Sequence, residues 1–458
     1  MIWRVLWESH QRLCEGMLKY SLGVDCLSAS VRERQDTGKF GERRIMIFDS
    51  ESVFEENVIT VLKQHGWKDG VLRYPTERDL LDNWKDILYR NNNDIDRLGK
   101  YPLTDGEMAQ IIEQIETLRT PLALNSFVNG RTVSITRDNK EDVAHFGKEV
   151  SLYIYDRKEI AGGKSTYQIA QQPVYPAKNT MLNSRRGDLV LLINGMPLIH
   201  IELKKSGIPV SQATNQIEKY AHEGVFTGLF RLVQIFVAMT PDDAVYFANP
   251  GADKFNPSYY FHWADYNNEP ICGGQHPGKD EWKLFIGGTS GTAGLLSIPM
   301  AHQLIGFYTI ADSADGCLKV LRSYQYLAAN AISDVVRKCD WEQRPSMPGR
   351  PGGYVWHTTG SGKTMTSFKS AQLIADSHDA DKVVFLMDRI ELGTQSLKEY
   401  RSFADSETEV QGTENTGVLR DKLNSTNVND TLIVTSIQKM SNVKAGERGV
   451  TQTWLCLL

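Results

Sequence analysis

The run from His357 to Thr364, HTTGSGKT, constrains this 458-residue chain more than any other stretch. Gly360, Ser361, Gly362, Lys363 and Thr364 follow the strand-like GGYVWH and lead into the helical MTSFKSAQLIAD. A glycine-rich loop between a strand and a helix turns backbone N–H groups and a helix N-terminus toward one point, an arrangement that suits phosphate. Lys363 is then placed to reach the β and γ groups of a nucleotide, and Thr364 to hold Mg²⁺. ATP and Mg²⁺ are the expected ligands of this loop, inside an α/β domain with a parallel sheet. His357, at the end of the strand, reads as a structural residue.

At 458 residues and 51.6 kDa there is room for about three domains at roughly 150 residues each. With 41% hydrophobic and 23% charged residues the chain has the balance of a globular protein, which argues against the disordered class. No apolar stretch approaches the roughly 18 residues of a spanning helix. The N-terminus, MIWRVLWESHQRLCEG, turns polar too early for a secretory signal. A cytoplasmic location with no membrane contact is therefore expected. Cys14, Cys26, Cys272, Cys317, Cys339 and Cys456 show no ligand spacing and read as reduced thiols. The net charge of -5 neither supports nor excludes DNA, because phosphate contacts need local Lys and Arg clusters rather than a basic total. It suggests that tight DNA binding falls to a partner.

Along the chain, residues 1–45 stay unassigned: the first twenty suit a short amphipathic helix and the rest resembles loop. ESVFEENVITVLKQHGW then places Phe54, Val58, Ile59, Val61 and Leu62 near one helical face, with Gly66 as a cap. Residues 77–123 keep helical spacing, broken at Pro102 and Asp105. RTVSITRD, EVSLYIYD, DLVLLING and PLIHIELK read as strands, the last two joined by Asn194, Gly195 and Met196. A helix over 211–223 and a strand over Leu232 to Met239 follow. Residues 250–300, rich in Gly, Asn, Pro and Ser, read as a surface excursion or connection, and 317–338 as a helix.

A second chemical pattern lies in RRGDLVLLINGMPLIHIELKK. Asp188 opens one strand and Glu202 with Lys204 closes the next, so a tight hairpin brings both acids to one end of a sheet. Glu202 and Lys204, two apart, share a strand face. Two carboxylates suit Mg²⁺, and a lysine beside them can orient or help deprotonate water and offset phosphate charge. A surface hairpin with charges facing water is the plain competitor, weakened because Glu202 and Lys204 alternate with Ile199, Ile201 and Leu203. Downstream, Gln216 and Tyr220 are four apart on one helical face, where they either contact DNA or brace the metal site. Glu55 is a candidate further metal ligand, with Glu56 as its rival.

The hairpin followed by QIEKY resembles the nuclease domain of type I restriction enzyme R subunits, a branch of the PD-(D/E)xK nucleases close to the RecB type. One departure is plain: the Pro that usually precedes the first Asp is replaced by Gly187. Since that Pro shapes backbone and ligates nothing, the site is expected to survive. The second half resembles the superfamily 2 motor of the same subunits. The resemblance implies DNA contacts for Asp388, Arg389 and Gln395 in KVVFLMDRIELGTQ, and for Thr435 and Gln438, beside Ser436, in TLIVTSIQKM. It also places Tyr324 and Gln325 where the family carries an adenine-reading glutamine.

The expected fold is α/β: a PD-(D/E)xK nuclease fold over 46–250, a connection over 251–300, and a partial RecA-like P-loop lobe over 301–458. The resemblance implies an assembly with methyltransferase and specificity subunits that translocates double-stranded DNA with ATP and cuts it. No DExx run follows the phosphate loop, so the chain is expected to be a truncated R subunit with doubtful ATPase activity of its own. The alternative is a non-catalytic ATP-binding module or an inactive remnant.

Overall fold

The computed structural model describes residues 2–6, 48–175, 185–251, 254–274, 280–338, 353–387, 390–404, 409–443 and 454–457. The chain builds two six-stranded sheets with helices packed around them. Among the described residues no helix is long and apolar enough to cross a membrane.

The first sheet runs in the order Val71–Arg73, Tyr167–Gln171, Leu189–Ile193, Met196–Leu203, Ile235–Met239, Ala244–Ala248. It is mixed: the first two strands and the Met196–Leu203/Ile235–Met239 pair are parallel, the other neighbours antiparallel. Its five longer strands are buried throughout, as expected of a sheet covered on both faces. Helix Val210–Glu223 lays Ala213 and Ile217 against Phe236 and Ala238 on one face. Helix Glu51–Gln64, capped by the Ser50 side chain, turns Phe54, Val58, Ile59 and Leu62 inward, and with them Glu55.

The hairpin Leu189–Ile193/Met196–Leu203 closes through two residues, Asn194 and Gly195, both at positive φ (52° and 83°), the turn that matches strand twist. Met196 already belongs to the strand, one residue earlier than its expected place in the turn. A Cβ at Gly195 would stand 2.9 Å from the Trp84 backbone, so that position needs glycine on two counts. The pairing slips by one residue between Leu191 and Leu192, next to Pro197, which has no N–H for the ladder. Leu189 then faces Ile201, which sets Asp188 across from Glu202.

Residues 254–274 and 280–300 depart from the expected surface connection. Trp263, Trp282, Phe285, Leu295 and Leu296 are buried, and the Trp67 indole N–H donates to the Leu296 carbonyl at 2.6 Å. The glycines that suggested loop here allow close backbone packing: a Cβ on Gly288 would lie 2.5 Å from the Gly294 nitrogen. The expected helix over 317–338 divides into a strand, Cys317–Val320, paired with Thr309–Asp312, and a helix, Ser323–Lys338.

The second sheet has the order Gly353–Trp356, Ile2–Leu6, Trp454–Leu457, Lys382–Met387, Leu432–Ser436, Val410–Gly412, with every neighbouring pair parallel. Its strand Ile2–Leu6 comes from the unassigned N-terminal segment, where a helix had been one reading. Helices Lys363–Ser377, Ile390–Phe403 and Thr416–Asn424 make the crossovers. Arg157 and Asp376, paired at 3.1 Å, tie a loop beside the first sheet to the helix behind the phosphate loop.

A buried ionic cluster holds the ribbon Thr132–Thr136/Glu149–Tyr153 against helix Asp105–Thr117. The Arg137 guanidinium, fully enclosed, donates to Glu107 Oε2 at 2.6 Å, Asp142 Oδ2 at 3.0 Å and the Tyr101 carbonyl at 2.7 Å. Glu107 also closes the capping box with Thr104. Glu107→Ala leaves that guanidinium short of its partner and should destabilise the chain by about 3–5 kcal/mol in urea unfolding. A loss under about 1 kcal/mol would refute this role.

Candidate active site

The hairpin register brings three side chains together. Asp188 Oδ2 accepts from the Leu203 N–H at 2.7 Å, across the strand pair. Glu202 is wholly buried, and the Lys204 ammonium stands 3.3 Å from its Oε1 while donating to the Leu203 carbonyl at 2.8 Å. Glu51, in the first turn of its helix, lies 3.7 Å from the same ammonium.

Burial dominates the electrostatics. It pushes the Asp188 carboxyl up to about 8, with the nearby Glu202 charge adding to the effect. It pushes Glu202 up to about 7, against the opposing pull of Lys204 and of a hydrogen bond with Asp188. Two acids and one ammonium in a desolvated pocket leave an uncompensated negative charge once both acids ionise.

Glu55 is buried beside this pair, whereas Glu56 is not buried, although the Gln171 amide reaches both. Gln171 Nε2 donates to Glu55 Oε1 at 2.6 Å and Gln172 Nε2 to Oε2 at 3.1 Å, while Asp188 is near enough to raise the Glu55 pKa further after burial has done so. Glu56 is half-exposed and paired with Arg73 at 2.6 Å. Gln172 sits at φ 48°, and its N–H donates to the Asp188 carbonyl at 2.8 Å, so one strained residue touches both acids. No local pattern in the sequence marks these two glutamines.

Gln216 and Tyr220 meet each other and the approach to Asp188. The Gln216 amide donates to the Tyr220 oxygen at 2.7 Å, and the Tyr220 hydroxyl donates to the Arg186 carbonyl at 3.0 Å. Burial and the Glu202 charge push this phenol up to about 12, so it remains a donor. The contacts brace the backbone two residues before Asp188.

Beneath the site lies His200, missed in the sequence although it sits two before Glu202 on the same strand face. It is fully buried, its Nδ1 lies 2.9 Å from the Tyr175 hydroxyl, and burial drives its pKa down to about 4, keeping the ring neutral.

Among the described residues no three His, Cys, Asp or Glu side chains are gathered as a metal cluster. The donor set nevertheless fits Mg²⁺, which commonly binds through one or two carboxylates and completes its shell with water. Asp188 and Glu202 supply oxygen only, and Glu202 Oε2 is buried with no hydrogen-bond partner, as befits an atom available to a ligand.

At the other expected site, Gly360 and Gly362 take positive φ (78° and 81°) and helix Lys363–Ser377 starts directly after them. The Lys363 ammonium donates to the Thr358 carbonyl at 3.1 Å, and Ser361 Oγ lies 2.9 Å from His357 Nδ1. Thr364 stands in the first turn of the helix. Gln325 sits behind the loop: its amide donates to the Gly362 carbonyl at 3.2 Å, and its Oε1 accepts from the Arg322 N–H at 2.9 Å. Tyr324 donates to the Ser361 carbonyl at 2.9 Å. Both ends of Gln325 are thus engaged by the chain, and a purine would have to exchange with those bonds.

Of the expected DNA contacts, Asp388 and Arg389 lie outside the described residues. Gln395 is exposed and donates to Glu399 at 2.9 Å. Thr435 is buried and its Oγ1 bonds to Thr413 Oγ1 at 2.7 Å, whereas Gln438 is exposed on the short helix Ile437–Ser441 that follows.

The geometry defines a class: a mixed α/β sheet bearing a buried acid pair and a lysine, joined to a parallel sheet with a phosphate-type loop. Residues 49–255 match the family described as type I restriction enzyme R protein N terminus, and residues 324–454 match the SWI2/SNF2 ATPase family. Residues 49–255 thus carry the R protein N-terminal family, and along most of its length the chain is similar to type I restriction enzyme endonuclease subunits. A type I restriction enzyme endonuclease subunit of Staphylococcus aureus (strain MSSA476) is 32% identical over 403 residues, covering 88% of this chain and 38% of the relative. One of Staphylococcus saprophyticus is 32% identical over 402 residues, covering 86% and 37%. The Escherichia coli EcoprrI endonuclease subunit is 30% identical over 217 residues, covering 46% and 62%. The chain therefore spans well under half the length of its staphylococcal relatives, 38% and 37%.

The raised acids set a pH dependence. The folded chain binds protons that the unfolded chain, with carboxyls near 4, has released. Their stabilising contribution is fully present below about pH 4 and is lost as pH rises through 7 and 8. In chelator, the melting temperature of the wild type should fall relative to Asp188→Asn/Glu202→Gln between about pH 5 and about pH 8. Parallel profiles would show that neither acid is buried as described.

Proposed function

We propose that this chain is the nuclease-bearing part of a type I restriction enzyme R subunit, a Mg²⁺-dependent endonuclease on double-stranded DNA. The first sheet is read as the PD-(D/E)xK nuclease fold and the second as a RecA-like lobe that binds ATP and serves translocation in the full enzyme. Methyltransferase and specificity subunits are the proposed partners and the cytoplasm the proposed location. The observation that carries this reading is the hairpin register that sets Asp188 opposite Glu202 with Lys204 against them.

Asp188 and Glu202 would hold Mg²⁺, with Glu55 at the margin of the same site. When bound, the ion supplies Lewis-acid polarisation of a phosphate oxygen and acidifies water. Lys204 donates to Glu202 and so fixes its carboxylate, and the one proton not engaged by Glu202 or the Leu203 carbonyl can orient a water toward phosphorus, while the ammonium offsets charge on the phosphate. Tyr220 and Gln216 keep the chain before Asp188 in place. In the second sheet Lys363 would exchange its bond to the Thr358 carbonyl for phosphate oxygens and Thr364 would hold Mg²⁺, with the backbone N–H groups after Gly360 as cradle.

Lys204→Ala should lower Mg²⁺-dependent cleavage of plasmid DNA by about 100-fold or more with binding of DNA retained. Unchanged cutting would sink the nuclease assignment. Lys363→Ala should weaken binding of a fluorescent ATP analogue by about 10- to 100-fold, the loss of one charge-assisted phosphate contact. Equal affinities would remove the loop from nucleotide binding.

A further inference from the structure

Behind the acid pair is a polar arrangement that the proposed chemistry does not use. His200 and Tyr175 are both buried inside an otherwise aromatic cluster with Phe226 and Phe230. The Tyr175 hydroxyl and His200 Nδ1 are 2.9 Å apart. The other ring nitrogen, Nε2, stands 3.5 Å from Glu202 Oε2, and neither atom has a hydrogen-bond partner. Buried polar atoms are rarely left so, and these two face each other.

Tautomer chemistry pairs them. A neutral imidazole has one donor and one acceptor nitrogen. With the Tyr175 hydroxyl donating to Nδ1, the ring proton must sit on Nε2, aimed at Glu202. Ordinary N–H···O contacts are near 2.9 Å, so about half an ångström of carboxylate movement closes the bond.

Position 187 makes room for this. A Cβ there would fall 2.5 Å from the Tyr175 hydroxyl and 2.9 Å from His200 Cε1. Contacts under about 3 Å between such atoms force something to move, and here the neighbours are a ring and a hydroxyl enclosed in the core. The Gly in RRGD, which departs from the Pro of the resembling family, thus lies over the ring pair and leaves it undisturbed.

We infer that His200 is a positioning residue that aims the Glu202 carboxylate, with Tyr175 fixing its tautomer and Gly187 giving the pair its space. It touches neither DNA nor the reacting atoms and acts through Glu202 alone. This rests on the reading of Asp188 and Glu202 as a divalent-ion site. Groups that orient a metal-binding residue commonly change affinity by about 10- to 100-fold when removed.

The test is Mn²⁺ binding by calorimetry on the full chain, without DNA or turnover, for wild type, His200→Phe, His200→Gln, Tyr175→Phe and Glu202→Gln. His200→Phe fills the space without an N–H and should weaken Mn²⁺ about 10- to 100-fold, while His200→Gln, which restores a donor, should regain part of the loss. Tyr175→Phe loses only a hydroxyl and is the arm that preserves the fold. It frees the imidazole proton to move to Nδ1 and should weaken Mn²⁺ in the same direction by a smaller factor. If Glu202→Gln loses binding while His200→Phe and Tyr175→Phe match the wild type, the positioning role is overturned and the nuclease reading stands. If Glu202→Gln binds as the wild type does, the carboxylate site itself fails and the inference falls with it.

Discussion

The one-residue slip in the Leu189–Ile193/Met196–Leu203 hairpin governs everything built on the first sheet. The two-residue turn at Asn194 and Gly195 pairs Ile193 with Met196 and Leu192 with Pro197. Continued without interruption, that register would set Asp188 opposite Ile201, and the two acids would face opposite sides of the sheet. The bulge beside Pro197 shifts the ladder by one, and from Leu191 onward the pairing carries Asp188 to Glu202. The Leu203 N–H bond to the Asp188 carboxylate then locks the open end of the hairpin. A proline that costs the ladder one donor is thereby consistent with function, since the irregularity it permits is what assembles the acids.

Local signals in the sequence lead to the elements whose stability is local. Helix Glu51–Gln64 follows from the spacing of Phe54, Val58, Ile59 and Leu62, the hairpin from two apolar runs around Asn194 and Gly195, and the strand, loop and helix around Lys363 from their order. Partners brought in from far along the chain are another matter. Val71–Arg73 and Ile2–Leu6 are strands only because they find parallel neighbours about a hundred residues or more away, and neither carries a turn or an alternating pattern of its own. Residues 254–274 and 280–300 differ from the expected connection for a related reason: glycine marks both open turns and tight backbone contact, and composition does not separate the two.

The candidate site divides in the same way. Asp188, Glu202 and Lys204 are legible because period two places Glu202 and Lys204 on one face and a hairpin returns the chain to Asp188. Helical spacing also reaches Gln216 and Tyr220, but it does not give their bonds, which run to each other and to the Arg186 carbonyl. Choosing Glu55 over Glu56 takes the Gln172 amide, over a hundred residues away, which bonds Glu55 alone, and the exposed Arg73 that pairs with Glu56. Gln325 is found at the expected loop, yet its amide is spent on that loop's own carbonyls. The chain behind it continues without a gap: the Arg322 guanidinium stacks 4.4 Å over Phe261, whose backbone pairs with Tyr246 on the outermost strand of the first sheet.

The acids explain why the pocket is built so tightly. Carboxylates left in water would cost the fold nothing, but they would hold a divalent ion only weakly, because hydration competes with every contact. Here the strands around Asp188 and Glu202 are buried on both faces, and the result is acids held protonated well above their ordinary range. Lys204 neutralises one charge and is already engaged with Glu202 and the Leu203 carbonyl. The second charge has no cation within the described site, and in the proposed reading a divalent ion would balance it at Glu202 Oε2, which has no hydrogen-bond partner. The stability given up by burying two acids would be recovered on binding such an ion, since any ligand that prefers the folded state stabilises it by mass action. Tightness, pH sensitivity and the bracing of Asp188, Glu55 and Glu202 from three separate elements would all follow from that one exchange.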